Sequence, residues 1–260
     1  MFPLPPLTDE QRAVVERVAA LSRDRFAARA ARYDADSTFP YENYADLHAA
    51  GLHALAVPRE YGGVGADPVT YVHALREIAK GCSATALTFN MHSTVTTFLA
   101  ALATPEQKRR YFGEVVGRGA RIASITSEPE QSFRDKFVLN TVFRPTGDGG
   151  YRVAGVKQFC SLGDAADYFF VTGILEGHAS ARDGVVSAMI PSRDAGVKIE
   201  APGTRPACGA PSAIPSATTA RSPPPTWSAA PASTSPSTSR ASPSATPRST
   251  WASARPPSST

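Results

Sequence analysis

Arg121-Ile122-Ala123-Ser124-Ile125-Thr126 is where this chain changes character. The run is rich in β-branched and small residues and has the composition of a strand. The chain before it reads as helix, and the chain after it, as far as Ile190, reads as strand and turn. Helices and strands do not alternate. A helical part succeeded by a β part predicts an α+β arrangement rather than a doubly wound sheet.

Working back from Arg121, Thr104-Pro105-Glu106-Gln107 is a helix start. It has a threonine cap, a proline in the first turn and a glutamine that closes the capping box. That helix is predicted to end near Gly117 or Gly119. Ala84 to Leu102, Val69 to Ala79 and Tyr41 to Ala50 read as further helices. Gly51 stops the last of these, at a position that favours a left-handed residue. The segment AVPREYGGVGADP, residues 56–68, reads as a loop. Thr8-Asp9-Glu10-Gln11 is a second capping box. It opens a stripe of Val14, Val15, Val18, Leu21 and Phe26 at helical spacing.

Working forward, Phe137 to Phe143 alternates, and Thr146 to Gly150 is a turn cluster. Tyr151 to Val153 resumes the strand, which predicts a hairpin. Asp167 to Ile174 and Val185 to Ile190 read as further strands. The expected architecture is a helical domain over 1–119, an antiparallel β-barrel or sandwich over 120–203, and a disordered tail over 204–260.

The tail is a different polymer from the rest. Residues 205–260 contain no Asp, Glu, Lys, Leu, Val, Phe, Tyr, Met, His, Asn or Gln. With so little to bury, such a segment cannot offset the entropy of ordering its backbone. It also holds Arg205, Arg221, Arg240, Arg248 and Arg255. Removing those five from the 27 basic residues leaves 22 against 23 acidic, a net of −1. The basic balance therefore belongs to the tail, and nucleic-acid binding by the folded part is not expected. Cys82, Cys160 and Cys208 are far apart and show no metal-ligand spacing. Unpaired cysteines suit a reducing cytosol, so a cytoplasmic location is expected. MFPLPPLTDEQRAVV lacks a basic start leading into an apolar run, so no signal peptide is expected. No apolar stretch is long enough to span a bilayer.

Three stretches together carry a resemblance. Tyr44-Ala45-Asp46-Leu47 runs through Gly51-Leu52 to Val57-Pro58-Arg59-Glu60-Tyr61-Gly62-Gly63. Thr104-Pro105-Glu106-Gln107-Lys108 leads a helix to Gly119. Ser127-Glu128-Pro129 precedes Tyr151-Arg152-Val153-Ala154-Gly155-Val156-Lys157. In this order, over residues 7–202, they resemble the acyl-CoA dehydrogenase family. The resemblance implies a helical first domain, a β middle domain and a helical third domain. It also implies FAD as cofactor and α,β-desaturation of an acyl-CoA thioester. The electrons would pass to an electron-transfer flavoprotein or another acceptor, and the parent enzyme is expected to be a homotetramer.

The family's middle domain meets the flavin at a Thr-Glu-Pro-Gly-Ala-Gly-Ser-Asp loop. This chain matches it at Ser127-Glu128-Pro129 and departs at Glu130-Gln131-Ser132-Phe133, where Ser132 is aligned with the family's serine. The second meeting place is a Trp-Ile-Thr segment after Asn-Gly-x-Lys. Phe159-Cys160-Ser161 occupies it here. The resemblance thus implies flavin contacts at Ser127, Ser132, Phe159, Cys160 and Ser161. Phe159 keeps the ring that can pack on the isoalloxazine, and Ser161 keeps a hydroxyl for its polar edge. These departures leave a second chemistry on the same fold open, that of a flavin-dependent monooxygenase. A non-catalytic fragment is the third reading.

The family's catalytic glutamate lies in its third domain, so no residue here is expected to be the catalytic base, and no metal ligand is expected. Reading the tail's codons from their third base offers a reason. Pro202 to Gly209 then permits W-D-T-P-G-M-R, close to the stretch that leads out of the family's β domain. Loss of one base near the Pro202 codon would produce this tail. The competing reading is a natural Pro/Ser-rich linker.

Several tempting residues have plainer readings. Gly62-Gly63-Val64-Gly65 is not in a βαβ unit and reads as a turn. His92 reads as a partly buried helix residue, and Cys160 as a small core residue beside the flavin. Glu128 is expected to fix backbone geometry and Lys157 to be a solvated strand-end charge.

Overall fold

The computed structural model describes residues 5–129, 139–146, 150–178, 184–200, 214–222 and 227–228. Helix α1 (Asp9–Leu21) opens with the expected reciprocal cap. Thr8 Oγ1 accepts the Gln11 N–H at 3.3 Å and Gln11 Oε1 accepts the Thr8 N–H at 2.9 Å. The helix does not stop at Phe26. A π-helical turn (Ser22–Phe26) carries it into α2 (Ala27–Asp36). The turn packs directly against α4 (Pro68–Gly81). A Cβ on Gly81 would lie 2.5 Å from the Ser22 carbonyl oxygen, and Ser22 Oγ donates to Glu77 O at 2.6 Å.

Helix α3 (Tyr41–Ala49) ends before Gly51, whose φ of 69° is the left-handed stop. Helix α5 (Ser83–Leu102) carries no Asp, Glu, Lys or Arg, and half of its 20 residues are buried. Helix α6 (Pro105–Arg118) has the Thr104–Gln107 capping box and is closed by Gly119 at φ 67°. Leu47, Leu52, Ile78 and Phe89 are buried at the centre of the helical part.

Two histidines join this part to the sheet. His53 Nε2 donates to Ala120 O at 3.0 Å, and His92 Nδ1 accepts the Ile122 N–H at 3.2 Å. Their rings stack with centroids 4.3 Å apart. His92 is therefore completely buried, not partly buried as the helix pattern suggests. The ring of a residue 39 positions earlier in the chain covers it, and helical periodicity cannot reveal that.

The β part comprises β1 (Ile122–Ile125), β2 (Val142–Pro145), β3 (Tyr151–Val156), β4 (Tyr168–Leu175), β5 (Val185–Pro191) and β6 (Val197–Glu200). The backbones of β7 (Ile214–Ser222) and β8 (Trp227–Ser228) complete one curled, half-closed sheet. Its order is β6-β7-β3-β2-β4-β5-β8, with β1 beside β4. The predicted hairpin is present, with Phe143 opposite Val153. The sheet is mixed rather than strictly antiparallel. β1 pairs with the first half of β4, Ile122 opposite Tyr168, and β2 with its last residues, Val142 opposite Ile174. Two short strands laid end to end along one edge of β4 both run in its direction, so both pairings are parallel.

β7 falls inside the stretch read from composition as a disordered tail. Its backbone pairs with β3 and β6. Main-chain ladders need no apolar side chain. Among the described residues, no helix is long and apolar enough to cross a membrane.

Candidate functional site

The site is built where β1 and β3 run out. Ser127-Glu128-Pro129 comes after the first and Lys157-Gln158-Phe159 after the second. The chain brings them side by side. Gln158 N–H donates to Ser127 O at 3.0 Å, and Gln158 Nε2 donates to Glu128 O at 2.8 Å. The two segments that the family resemblance singles out are thus neighbours in space, 30 positions apart in sequence.

Beneath them lies an ion pair. Lys157 Nζ donates to Glu128 Oε1 at 2.6 Å, and the two side chains are 3% and 1% exposed. The ammonium has three donors. The other two go to Thr172 O at 2.6 Å and Thr126 O at 3.1 Å. Glu128 also accepts from Thr141 N–H at 3.0 Å, Thr141 Oγ1 at 2.6 Å and Asn140 N–H at 2.5 Å. The expectation for Glu128 holds: its carboxylate fixes backbone. The expectation for Lys157 does not. It is a buried partner rather than a solvated end, because Thr126 O just past β1, Thr172 O in β4 and the Glu128 carboxylate converge on it.

Burial opposes charge on both groups, raising the carboxylate and lowering the ammonium. At Glu128, the donors Lys157, Thr141 and Asn140 outweigh burial, and the carboxyl titrates below its usual range. With an acceptor for every Lys157 donor, the geometry serves the charged pair.

Above the pair, Ser127 and Ser161 are half-buried, and the Phe159 ring is 68% exposed. Phe159 stands at φ 59°, in the left-handed region. For a bulky residue this conformation is uncommon and costs about 1–2 kcal/mol. Cys160 turns the other way. It is fully buried among Leu162, Ala165 and Ala166, and burial pushes its thiol up to about 11. Its side chain is core, as expected, and its thiol is kept protonated and unreactive. Ser132 lies outside the described residues.

Sequence reasoning missed Thr141 and the reason for Gly155. A Cβ on Gly155 would lie 2.3 Å from Thr141 Oγ1. The glycine lets Thr141 approach β3 and reach Glu128. An acid shortly after β1 and a lysine directly after β3 were the available signal.

Comparison with known proteins gives this geometry a context. Residues 8–118 match the model of the acyl-CoA dehydrogenase N-terminal domain. Dibenzothiophene monooxygenase of Rhodococcus erythropolis is 34% identical over 152 residues, 58% of this chain and 36% of that protein. Benzylmalonyl-CoA dehydrogenase of Aromatoleum aromaticum is 33% identical over 167 residues, 64% of this chain and 44% of that protein. The fold matches a glutaryl-CoA dehydrogenase from Mycobacterium smegmatis in complex with FADH2, with a TM-score of 0.72 and 19% identity. That match covers 84% of this chain and 54% of that one. The chain thus spans between about a third and a little over half of the length of these relatives. Residues 8–118 are thus an acyl-CoA dehydrogenase N-terminal domain, and with the mixed sheet behind it the chain has the fold of the first two parts of an acyl-CoA dehydrogenase.

Proposed function

We propose that this chain carries the first two domains of an FAD-dependent oxidoreductase whose parent enzyme desaturates an acyl-CoA thioester. In this reading Ser127, Phe159 and Ser161 are the protein's wall against the flavin, with the Cys160 backbone beside them, and Ser132 is kept as a flavin contact on the family resemblance alone. The observation that carries it is Phe159: a large aromatic on an unfavourable backbone, with its ring turned outward. Strain of this kind persists where the surrounding structure over-determines it, and it clusters at ligand sites. A flat aromatic ligand would cover the ring, and the flanking hydroxyls would meet its polar edge.

Bound flavin would supply the hydride acceptor. The chain's own residues bind it, orient it and, through Phe159, keep water from one side. Glu128 is not the base, because its carboxylate is committed to Lys157, Thr141 and Asn140. The proton-abstracting glutamate is assigned to a third domain, outside this chain. In this reading 204–260 is that domain's beginning in a slipped frame, and the chain itself is inactive. The parent is read as a cytoplasmic homotetramer that passes electrons to an electron-transfer flavoprotein or similar acceptor.

A second reading keeps the flavin and changes the chemistry. The 34% identity to a dibenzothiophene monooxygenase favours it. Oxidised FAD that stays bound through purification supports the dehydrogenase, whereas dependence on a flavin reductase supports the monooxygenase.

The test is to equilibrate the purified chain with FAD and separate it by gel filtration. Flavin should co-elute with the chain, and acyl-CoA should not drive dye reduction. One base inserted at the Pro202 codon should restore that reduction. FAD that fails to co-elute with either product overturns the flavin reading. Turnover by the chain as it stands overturns the claim that it is inactive.

A further inference from the structure

The two flavin-facing segments touch through Gln158, and two neutral hydrogen bonds are each worth only about 1 kcal/mol. Beneath them, Glu128 and Lys157 join many more pieces of chain. Lys157 Nζ holds the chain just past β1 at Thr126 O and the middle of β4 at Thr172 O. Glu128 holds the entry to β2 at Asn140 and Thr141. Charge-assisted bonds of this kind are roughly twice as strong as neutral ones, and here every donor of the ammonium is matched. The pair also explains a spacing. Gly155 leaves room for Thr141, Thr141 Oγ1 donates to Glu128 Oε1, and the same oxygen accepts from Lys157. Gly173 gives Thr141 room from the other side, where a Cβ would lie 2.4 Å from its carbonyl oxygen. The Ser-Glu-Pro stretch and the Gly-x-Lys stretch are therefore two halves of one device.

We propose that Glu128 and Lys157, keyed by Thr141 and Gly155, are positioning residues that hold Ser127 and Phe159 in register against the flavin. The proposal rests on the flavin reading above. The pair does not touch the flavin. It acts by fixing Ser127 through its neighbour Glu128, and Phe159 through Lys157 and Gln158.

The test uses the full chain, wild type and a Glu128→Gln/Lys157→Met double variant, in which no buried charge is left alone. Amide exchange at Gln158, whose N–H is bound to Ser127 O, reads the clamp without any flavin. FAD titration, monitored by flavin fluorescence, reads its consequence. The double variant should exchange at Gln158 at least about tenfold faster and bind FAD about tenfold more weakly, each the equivalent of 1.4 kcal/mol. Protection in β4 and β5 should be kept. Unchanged exchange at Gln158 in a folded double variant overturns the clamp. Faster exchange with unchanged FAD affinity overturns its positioning role. A wild-type chain that binds no FAD overturns the flavin reading instead, and the exchange data tell the two failures apart. Should the double variant not fold, Thr141→Val removes one donor to Glu128 at nearly constant shape. It should shift both readouts in the same direction by a few-fold, and no shift in either overturns the proposal.

Discussion

The helical part and the β part each bury a polar pair, and the two pairs meet the same difficulty in opposite ways. His53 and His92 stack without a counter-charge, so burial lowers both, His53 to about 4, and they stay neutral. Neutrality is also what their bonds need, since His92 Nδ1 must keep its lone pair to accept the Ile122 N–H. Glu128 and Lys157 bury opposite charges and surround them with matched partners, so they stay ionised. A buried polar group is tolerated when its partners suit one charge state. The charge state, in turn, decides what will break it.

The largest effect should come from taking one charge away. Lys157→Met leaves the Glu128 carboxylate buried without a counter-charge, and such a change costs about 3–5 kcal/mol. Guanidinium denaturation should show that loss in the β part, and the Glu128→Gln/Lys157→Met double variant should lose less than the single one. Equal losses would mean that the pair's shape matters and its charge does not.

Acid should separate the two pairs. His53 titrates near 4 when folded against 6.5 for the free side chain, so the unfolded chain takes up the proton first as pH falls. The junction's stabilisation is whole above about pH 6.5 and is lost as pH falls through about 4, a change of about 3 kcal/mol at most. Glu128 is depressed below the ordinary carboxylate range, so its contribution is lost only at still lower pH. Melting temperatures tracked downward from neutral pH should fall first with the histidines. Replacing His53 with Gln should flatten that first fall. A profile already flat in the wild type would refute the neutral pair.

These two devices also mark what could be read from sequence. The Thr8 and Thr104 caps and the stops at Gly51 and Gly119 were legible, because each is decided within four or five residues. Thr104→Ala should accordingly cost about 1 kcal/mol in denaturant, the ordinary worth of such a cap. The π-turn at Ser22–Phe26 was hidden, because its local sequence is ordinary helix and its neighbour is Gly81. Lys157 was misjudged for the same reason: its partners Thr126 and Glu128 lie about 30 positions before it in the chain and Thr172 15 positions after it. The parallel partners of β4 are likewise set by distant segments. Of the candidate site, the aromatic and the hydroxyls were recognisable as types, but the support beneath them was not.

The smallest effect is also the most telling, because its two readouts should move in opposite directions. Phe159 holds a left-handed backbone that asparagine adopts more readily. Part of the strain should therefore be recovered in Phe159→Asn, stabilising the flavin-free chain by about 0.5 kcal/mol. Little packing is lost, since the ring is 68% exposed. If the ring is kept for flavin, the same substitution should weaken FAD binding while raising the melting temperature. Should stability fall instead, the turn is demanded by packing around Gln158 and Cys160, and the outward ring is incidental to it. Should both readouts stay put, Phe159 carries neither strain nor flavin, and the β part's buried pair would be supporting a wall with no face.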